Sequence, residues 1–317
     1  MLSKYKPVLI VAGEPKSVFF EILIKSLKFK KYKSPIIVIS SYDLLWKQMQ
    51  KIKYKKKIRK IDYKNLENLK LNNESINLIH VNYSSNNNQK KNYIKNSFNI
   101  AFKLIKSGFT KKLINGPINK NDFLAKKFLG VTEYISKQFN KKKFAMLIYN
   151  KKLSVCPITT HLPIKNVSKK ITKKLIIEKV ILINDFFKNN FAFKPKIAVT
   201  GLNPHCESIN KFNEDNEIIK PTIKNLRKNK FKVNGPFAAD TIFLKQNREK
   251  YNVIVGMYHD QVLAPLKALK EYDAINITLG LPFYRISPDH GPNAKMINKN
   301  LSNPLSLIRA IEFLDHK

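Results

Sequence analysis

The sequence predicts an α/β protein with mostly parallel sheets, arranged as two domains. Short apolar runs alternate with amphipathic stretches along the chain, the βα pattern of a parallel sheet. A length of 317 residues exceeds the usual size of a single domain. Three of the six histidines, His161, His205 and His259, also close the apolar runs SVCPITTH, KIAVTGLNPH and YNVIVGMYH. Ligands of open α/β sheets bind beyond the carboxyl ends of the strands, so these runs would deliver three imidazoles to one edge.

The elements follow in order. Residues 7–13 (PVLIVAG) predict a strand and 18–28 an amphipathic helix with Ser17 as its N-cap. Residues 35–40 (PIIVIS) predict a second strand and 41–50 a second helix. SINLIHVNY at 75–83 predicts another strand, in which His80 alternates with apolar neighbours as a structural residue. The polar segment 84–92 reads as a loop, and 93–108 as a helix ending at Gly108. KKLING predicts a strand, and two more form a pair around 143–159. A long helix is expected near 168–189 from Ser168, then the strand KIAVTG, then a helix near 214–229 that Pro221 kinks or starts late. A strand at 251–258, a helix, a strand at 274–280, a loop through LPFYRISPDHG and a final helix LSLIRAIEFL complete the chain. With no repeat or flexible linker, the expected domains interleave: 1–133 plus 300–317, and 134–299.

Composition narrows the function classes. Hydrophobic residues make up 43%, as in a globular protein. Apolar runs are too short for a transmembrane helix, and the N-terminus lacks a signal-peptide core, so a cytoplasmic location without membrane partner is expected. Two cysteines, Cys156 and Cys206, form no framework, in keeping with a reducing compartment. The net charge of +38 raises nucleic-acid binding, but only five of the 60 basic residues are arginines, the residue favoured for bidentate phosphate and base contacts. Lys, Asn and Ile are abundant together, as AT-rich codon usage dictates, and the run KIKYKKKIRK at 51–60 reads as a solvated face. No specific nucleic-acid partner is expected.

The chemistry lies after residue 110. Neutral imidazole suits zinc and other borderline divalent metals. The wide spacing of the three histidines excludes a finger-type zinc site and fits a centre with positions open to substrate. Each imidazole needs a partner for its second nitrogen, and Asp240 and Asp260 are near in sequence. Beyond His259, Lys267, Asn276 and Arg285 follow at steps of eight, nine and nine residues. They would suit a substrate carrying phosphate or carboxylate groups. Lys120, Asp240 and Asp260 are the candidates for general base.

These motifs carry a resemblance. GLNPH at 201–205, NGPFAADTIF at 234–243, MYHDQ at 257–261, INITLGLPFYRIS at 275–287 and DHG at 289–291 together resemble the 4-hydroxythreonine-4-phosphate dehydrogenase family of pyridoxal 5′-phosphate biosynthesis. GEP at 13–15, NGPINK at 115–120 and TEY at 132–134 fall in the family's order. The resemblance covers nearly the full length and is densest from 196 to 291. It implies two α/β/α domains, similar to the isocitrate and isopropylmalate dehydrogenases, with the active site in the interdomain cleft of a homodimer. His161, His205 and His259 match the divalent-metal ligands, contributed from both subunits, with zinc, magnesium or cobalt as the metal. Thr132, Lys267, Asn276 and Arg285 match the substrate-binding positions. The implied reaction oxidises 4-phosphohydroxy-L-threonine with NAD or NADP and decarboxylates the product to 3-amino-2-oxopropyl phosphate. No GxGxxG fingerprint is present, so the nicotinamide would bind outside a Rossmann motif.

Three departures mark this chain. Val131 stands where the family motif has a histidine before its threonine; KSVFFE replaces a glycine-rich continuation of GEP; and CESINKFNEDNE follows GLNPH in place of AGE and further glycines. Cys206 beside His205 reads as a packing residue rather than an added soft ligand. Val131 motivates an alternative, a paralogue acting on phosphothreonate or phosphoerythronate.

Overall fold

The computed structural model describes residues 5–66, 69–84, 87–119, 123, 128, 130–209 and 212–317. The chain divides into two compact units, residues 1–131 with 282–317, and residues 132–281.

The first unit begins with strand β1 (Val8–Val11), the helix Phe19–Phe29 and β2 (Ile36–Ser40). After the helix Tyr42–Lys51 come β3 (Ile58–Lys60), β4 (Ile76–His80), the helix Asn87–Lys106 and β5 (Lys112–Asn115). The second unit carries β6 (Ala145–Tyr149), β7 (Ser154–Pro157), the helix Lys173–Phe191 and β8 (Ile197–Thr200). It continues through the helix Lys220–Lys228, β9 (Val233–Phe237), β10 (Val253–Gly256), the helix His259–Lys270 and β11 (Ile275–Leu279). The chain then returns to the first unit through β12 (Tyr284–Pro288) and the helix Leu305–Asp315.

In the first unit the strand order is β3-β4-β2-β1-β5-β12, every pairing parallel. Its central strands are covered on both faces, which is why VLIV and IIVIS are continuous apolar runs rather than alternating ones. Leu9, Ile10, Ile37, Ile39, Phe19 and Leu23 are fully buried there. In the second unit the order is β11-β6-β7-β10-β8-β9. The β7–β10, β10–β8 and β8–β9 pairings are parallel, while β6 runs antiparallel to β7 and β11. Met146, Ile148, Val155, Ala198, Ile254, Val262 and Leu266 form its core.

The structure corrects several sequence expectations. The polar segment 84–92 is not simply a loop, because a helix starts at Asn87. Its buried apolar residues begin at Tyr93 and Ile94 and continue through Phe98, Ala101 and Phe102, so the apolar pattern marks the helix only from there. The long helix starts at Lys173, where Thr172 Oγ1 accepts the Leu175 N–H at 3.2 Å; Ser168–Lys170 is only a 3₁₀ turn. Pro221 marks a late start: a π turn at Asp215–Ile219 precedes the α-helix, and Pro221 sits in its first turn. The stretch read as a loop contains β12, which pairs with β5. The lysine-rich run at 51–60 does lie at the surface, with no residue of it buried, and the short edge strand β3 falls within it. Ser17 lies one residue before the N-cap position, and its Oγ accepts from Phe19 N–H at 3.3 Å. Among the described residues, no helix is long and apolar enough to cross a membrane.

Candidate active site at the strand ends of the second unit

Strands β7, β10 and β8 are neighbours, parallel and in that order, so their carboxyl ends share one edge. His161, His259 and His205 follow these ends, at the positions the apolar runs predict. The rings of His161 and His259 lie with centroids 6.3 Å apart. His161 Nδ1 is buried without a hydrogen-bond partner and lies 3.8 Å from Glu133 Oε1. His259 Nδ1 pairs with Asp260 Oδ1 at 2.6 Å, an arrangement that puts the neutral ring's proton on Nδ1 and leaves the lone pair of Nε2 free.

His205 sits in the 3₁₀ turn Pro204–Cys206 in the left-handed region, at φ 54°, and Cys206 follows at φ 62°. Such conformations are uncommon for non-glycine residues and persist only where the surroundings impose them. The anchor is Asp215, fully buried, a residue the sequence reading passed over. It accepts the Leu202 N–H at 2.8 Å, the Asn203 N–H at 3.1 Å and Asn203 Nδ2 at 2.9 Å. Gly201 makes room for it, since a Cβ there would lie 2.6 Å from Asp215 Oδ1 and 2.7 Å from Cys206 Sγ. Cys206 is buried, and desolvation, reinforced by Asp215, raises its thiol above the ordinary value. Burial pushes the Cys156 thiol up to about 12.

The remaining candidates are dispersed. Thr132 is buried in the helix Val131–Gln138, which begins with the departing residue Val131. Lys267 is half-buried on the helix that His259 opens, roughly 12 Å further along its axis at 1.5 Å per residue. Asn276 lies in β11, and its Oδ1 is a buried acceptor without a hydrogen-bond partner. Arg285 is buried in β12, its Nε donating to Asn115 Oδ1 at 2.8 Å. Asp240 is exposed on a short helix, Asp260 is exposed beside His259, and Lys120 lies outside the described residues.

In the first unit the GEP and NGP motifs meet at the ends of β1 and β5. Glu14 N–H donates to Pro117 O at 2.8 Å, and Gly13, at φ +78°, lets the two backbones approach. The Glu14 carboxylate pairs with Lys90 at 2.8 Å.

A divalent metal is the group whose fit these residues test. The donors are of the right type, and the orphaned His161 nitrogen beside a carboxylate-held His259 is a pair of metal-ligand form. Among the described residues of one chain, however, no three His, Cys, Asp or Glu side chains gather closely enough to hold an ion. Among the described residues, one chain does not by itself supply a complete set of metal donors.

Titratable groups collected where the strands of a parallel sheet end are the arrangement expected of one class, α/β enzymes that bind their ligands at the carboxyl edge. Comparison with known proteins makes the class specific. The model of the family "Pyridoxal phosphate biosynthetic protein PdxA" matches residues 31–314. The 4-hydroxythreonine-4-phosphate dehydrogenase of Sulfurihydrogenibium sp. is 38% identical over 96% of this chain and 95% of its own. That of Wigglesworthia glossinidia brevipalpis is 32% identical over 98% and 96%. The crystal structure of the Klebsiella pneumoniae 4-hydroxythreonine-4-phosphate dehydrogenase superposes with a TM-score of 0.83 at 28% identity, covering 99% of this chain and 98% of that one. The chain belongs to the PdxA family of pyridoxal phosphate biosynthetic proteins, and is an oxidoreductase.

Proposed function

We propose that the protein oxidises 4-phosphohydroxy-L-threonine with NAD or NADP and releases 3-amino-2-oxopropyl phosphate after decarboxylation. The observation that carries this reading is the placement of His161 and His259 side by side at adjacent parallel strand ends in a chain of this family. His161, His205 and His259 would hold a divalent metal (zinc, magnesium or cobalt), the three ligands drawn from both subunits of a homodimer. When bound, the metal supplies Lewis-acid polarisation of the substrate hydroxyl and the nicotinamide supplies a hydride acceptor.

The chain's own residues do the rest. Asp260 accepts the His259 Nδ1 proton and keeps that ring oriented, so it serves as a positioning carboxylate. Asn276 Oδ1 presents an acceptor suited to a substrate ammonium or hydroxyl. Thr132, Lys267 and Arg285 complete the substrate contacts, the two cations suiting phosphate and carboxylate oxygens. Asp240 and Lys120 remain as bases for the hydroxyl proton.

The test is reduced-nicotinamide formation by purified protein given 4-phosphohydroxy-L-threonine, either cofactor and each metal in turn. Turnover lost in His161→Ala and His259→Ala is expected, and absence of turnover by the unaltered protein refutes the proposal. Val131, in place of the family's histidine, motivates phosphothreonate as a parallel substrate; turnover of it alone would establish the paralogue reading instead.

A further inference from the structure

Gln261 makes three hydrogen bonds that together span two strand ends. Its Oε1 accepts the Met257 N–H at 2.6 Å and the Thr200 hydroxyl at 2.8 Å, and its Nε2 donates to the Gly201 carbonyl at 2.7 Å. Met257 closes β10 two residues before His259, while Thr200 and Gly201 close β8 ahead of His205. The far side of Met257 is held as well. Its carbonyl accepts the Thr159 hydroxyl at 2.8 Å and the Thr159 N–H at 3.2 Å, two residues before His161. Thr200, Met257 and Thr159 are all buried. A polar chain thus links the carboxyl ends of β7, β10 and β8, two residues before His161 and His259 and four before His205.

From this we infer that Gln261 is a positioning residue for the reaction: it indexes the His205 turn to the His259 helix. The amide is chemically specific for the task, since it must accept twice and donate once. Glutamate has no donor for Gly201 O, asparagine is one methylene short, and methionine can do neither. Gly256 leaves room for the first turn of that helix, since a Cβ there would lie 2.4 Å from Val262 Cγ1 and 3.0 Å from Gln261 Oε1. The inference deepens the proposed function and rests on it for its catalytic consequence, though the coupling of the two segments stands on the hydrogen bonds themselves.

A plain helix-capping role is the alternative, as Gln261 lies in the first turn of its helix and accepts a nearby backbone N–H. Gln261→Glu separates the two. It keeps the capping acceptor and places a favourable negative charge at the helix start, yet turns a carboxylate toward the Gly201 carbonyl. The experiment compares Gln261→Met and Gln261→Glu with the unaltered full-length enzyme by hydrogen–deuterium exchange, cobalt(II) titration and steady-state kinetics. Faster exchange at residues 201–206 is expected in both variants. Loss of a residue that orients ligands lowers metal affinity or kcat about 10- to 100-fold, and that fall is expected in both with KM little changed. Stability should return in Gln261→Glu while exchange and kcat do not. Unchanged exchange at 201–206 in Gln261→Met overturns the inference, as does full recovery of kcat in Gln261→Glu. If the unaltered enzyme turns over but binds no cobalt, the metal reading falls separately, and exchange with kcat still decides the role of Gln261. Should Gln261→Met fail to fold, Thr200→Val removes one bond at nearly constant volume, and unaltered exchange there overturns the inference equally.

Discussion

Replacing Asp215 by alanine should release the turn that carries His205, and the structure sets the size of the effect. Two backbone N–H groups and one side-chain amide lose a charged acceptor that is fully buried. Hydrogen bonds to charged groups contribute about 1.5–3 kcal/mol each, so the two backbone bonds alone represent roughly 3–6 kcal/mol. Two effects oppose that loss. Leu202 and Asn203 are half-buried, so water reaches part of the vacated donors. The left-handed residues His205 and Cys206 store about 1–3 kcal/mol of strain each, and a turn still held by its neighbours returns only about 1 kcal/mol of it in all. A net destabilisation of about 3 kcal/mol is expected. Glu214 is the internal control: among the described residues its Oε2 reaches only Asn203 Nδ2, at 3.3 Å, so Glu214→Ala should cost no more than about 0.5 kcal/mol. Urea unfolding followed by far-ultraviolet circular dichroism, with the denaturant slopes compared, measures both. Equal small effects from the two substitutions would refute the assignment of Asp215 as the anchor.

Two further outcomes follow from residues outside the site. His80 Nδ1 accepts the Tyr42 N–H at 3.1 Å, doing the capping that Ser41 does not; His80→Ala should therefore cost about 1 kcal/mol of stability and leave kcat intact, and a loss of turnover would contradict its structural role. Burial alone would raise the Glu312 carboxyl, but hydrogen bonds from Lys30 and Arg309 outweigh it and hold the group below its ordinary 4.5. Its contribution is thus present above that value and disappears as pH falls through the lower folded value, so the stability gap between the unaltered protein and Glu312→Gln should close on acidification. The gap is small, about 0–1 kcal/mol for partly exposed pairs, and a gap that widened toward low pH would reverse the assignment.

What the sequence made legible follows from how each signal is written. The three strands that lead to the histidines are buried along their length, so each reads as an apolar run that stands out against a lysine-rich background. β12 was hidden because Arg285 and Pro288 interrupt its apolar pattern, and only the fold shows that the arginine is buried against Asn115. β9 contains Gly235 and Pro236, residues that read as a turn; it lies at the sheet edge, where proline is tolerated. Asp215, Thr200 and Gln261 were illegible for another reason. Asp215 lies in a polar stretch that reads as solvated surface, Thr200 ends an apolar strand in which one hydroxyl draws no notice, and the bonds from Asn203 to Asp215 and from Thr200 to Gln261 span 12 and 61 positions. Asn276 emerged from spacing and resemblance, whereas its buried, unmet acceptor could be seen only in three dimensions.

The position of β10 between β7 and β8 bears on the order in which a ribosome delivers this chain. β7 and β8 emerge early, yet neither touches the other in the finished sheet; the strand that separates and joins them is synthesised more than fifty residues after β8. The first unit closes later still, when β12 reaches β5. A chain released before residue 253 therefore carries two of the three histidines on strands that lack their shared neighbour, with unpaired edges exposed. Termination there is expected to give a fragment prone to aggregate rather than a weakened enzyme, because the strand that joins β7 to β8 is missing from it.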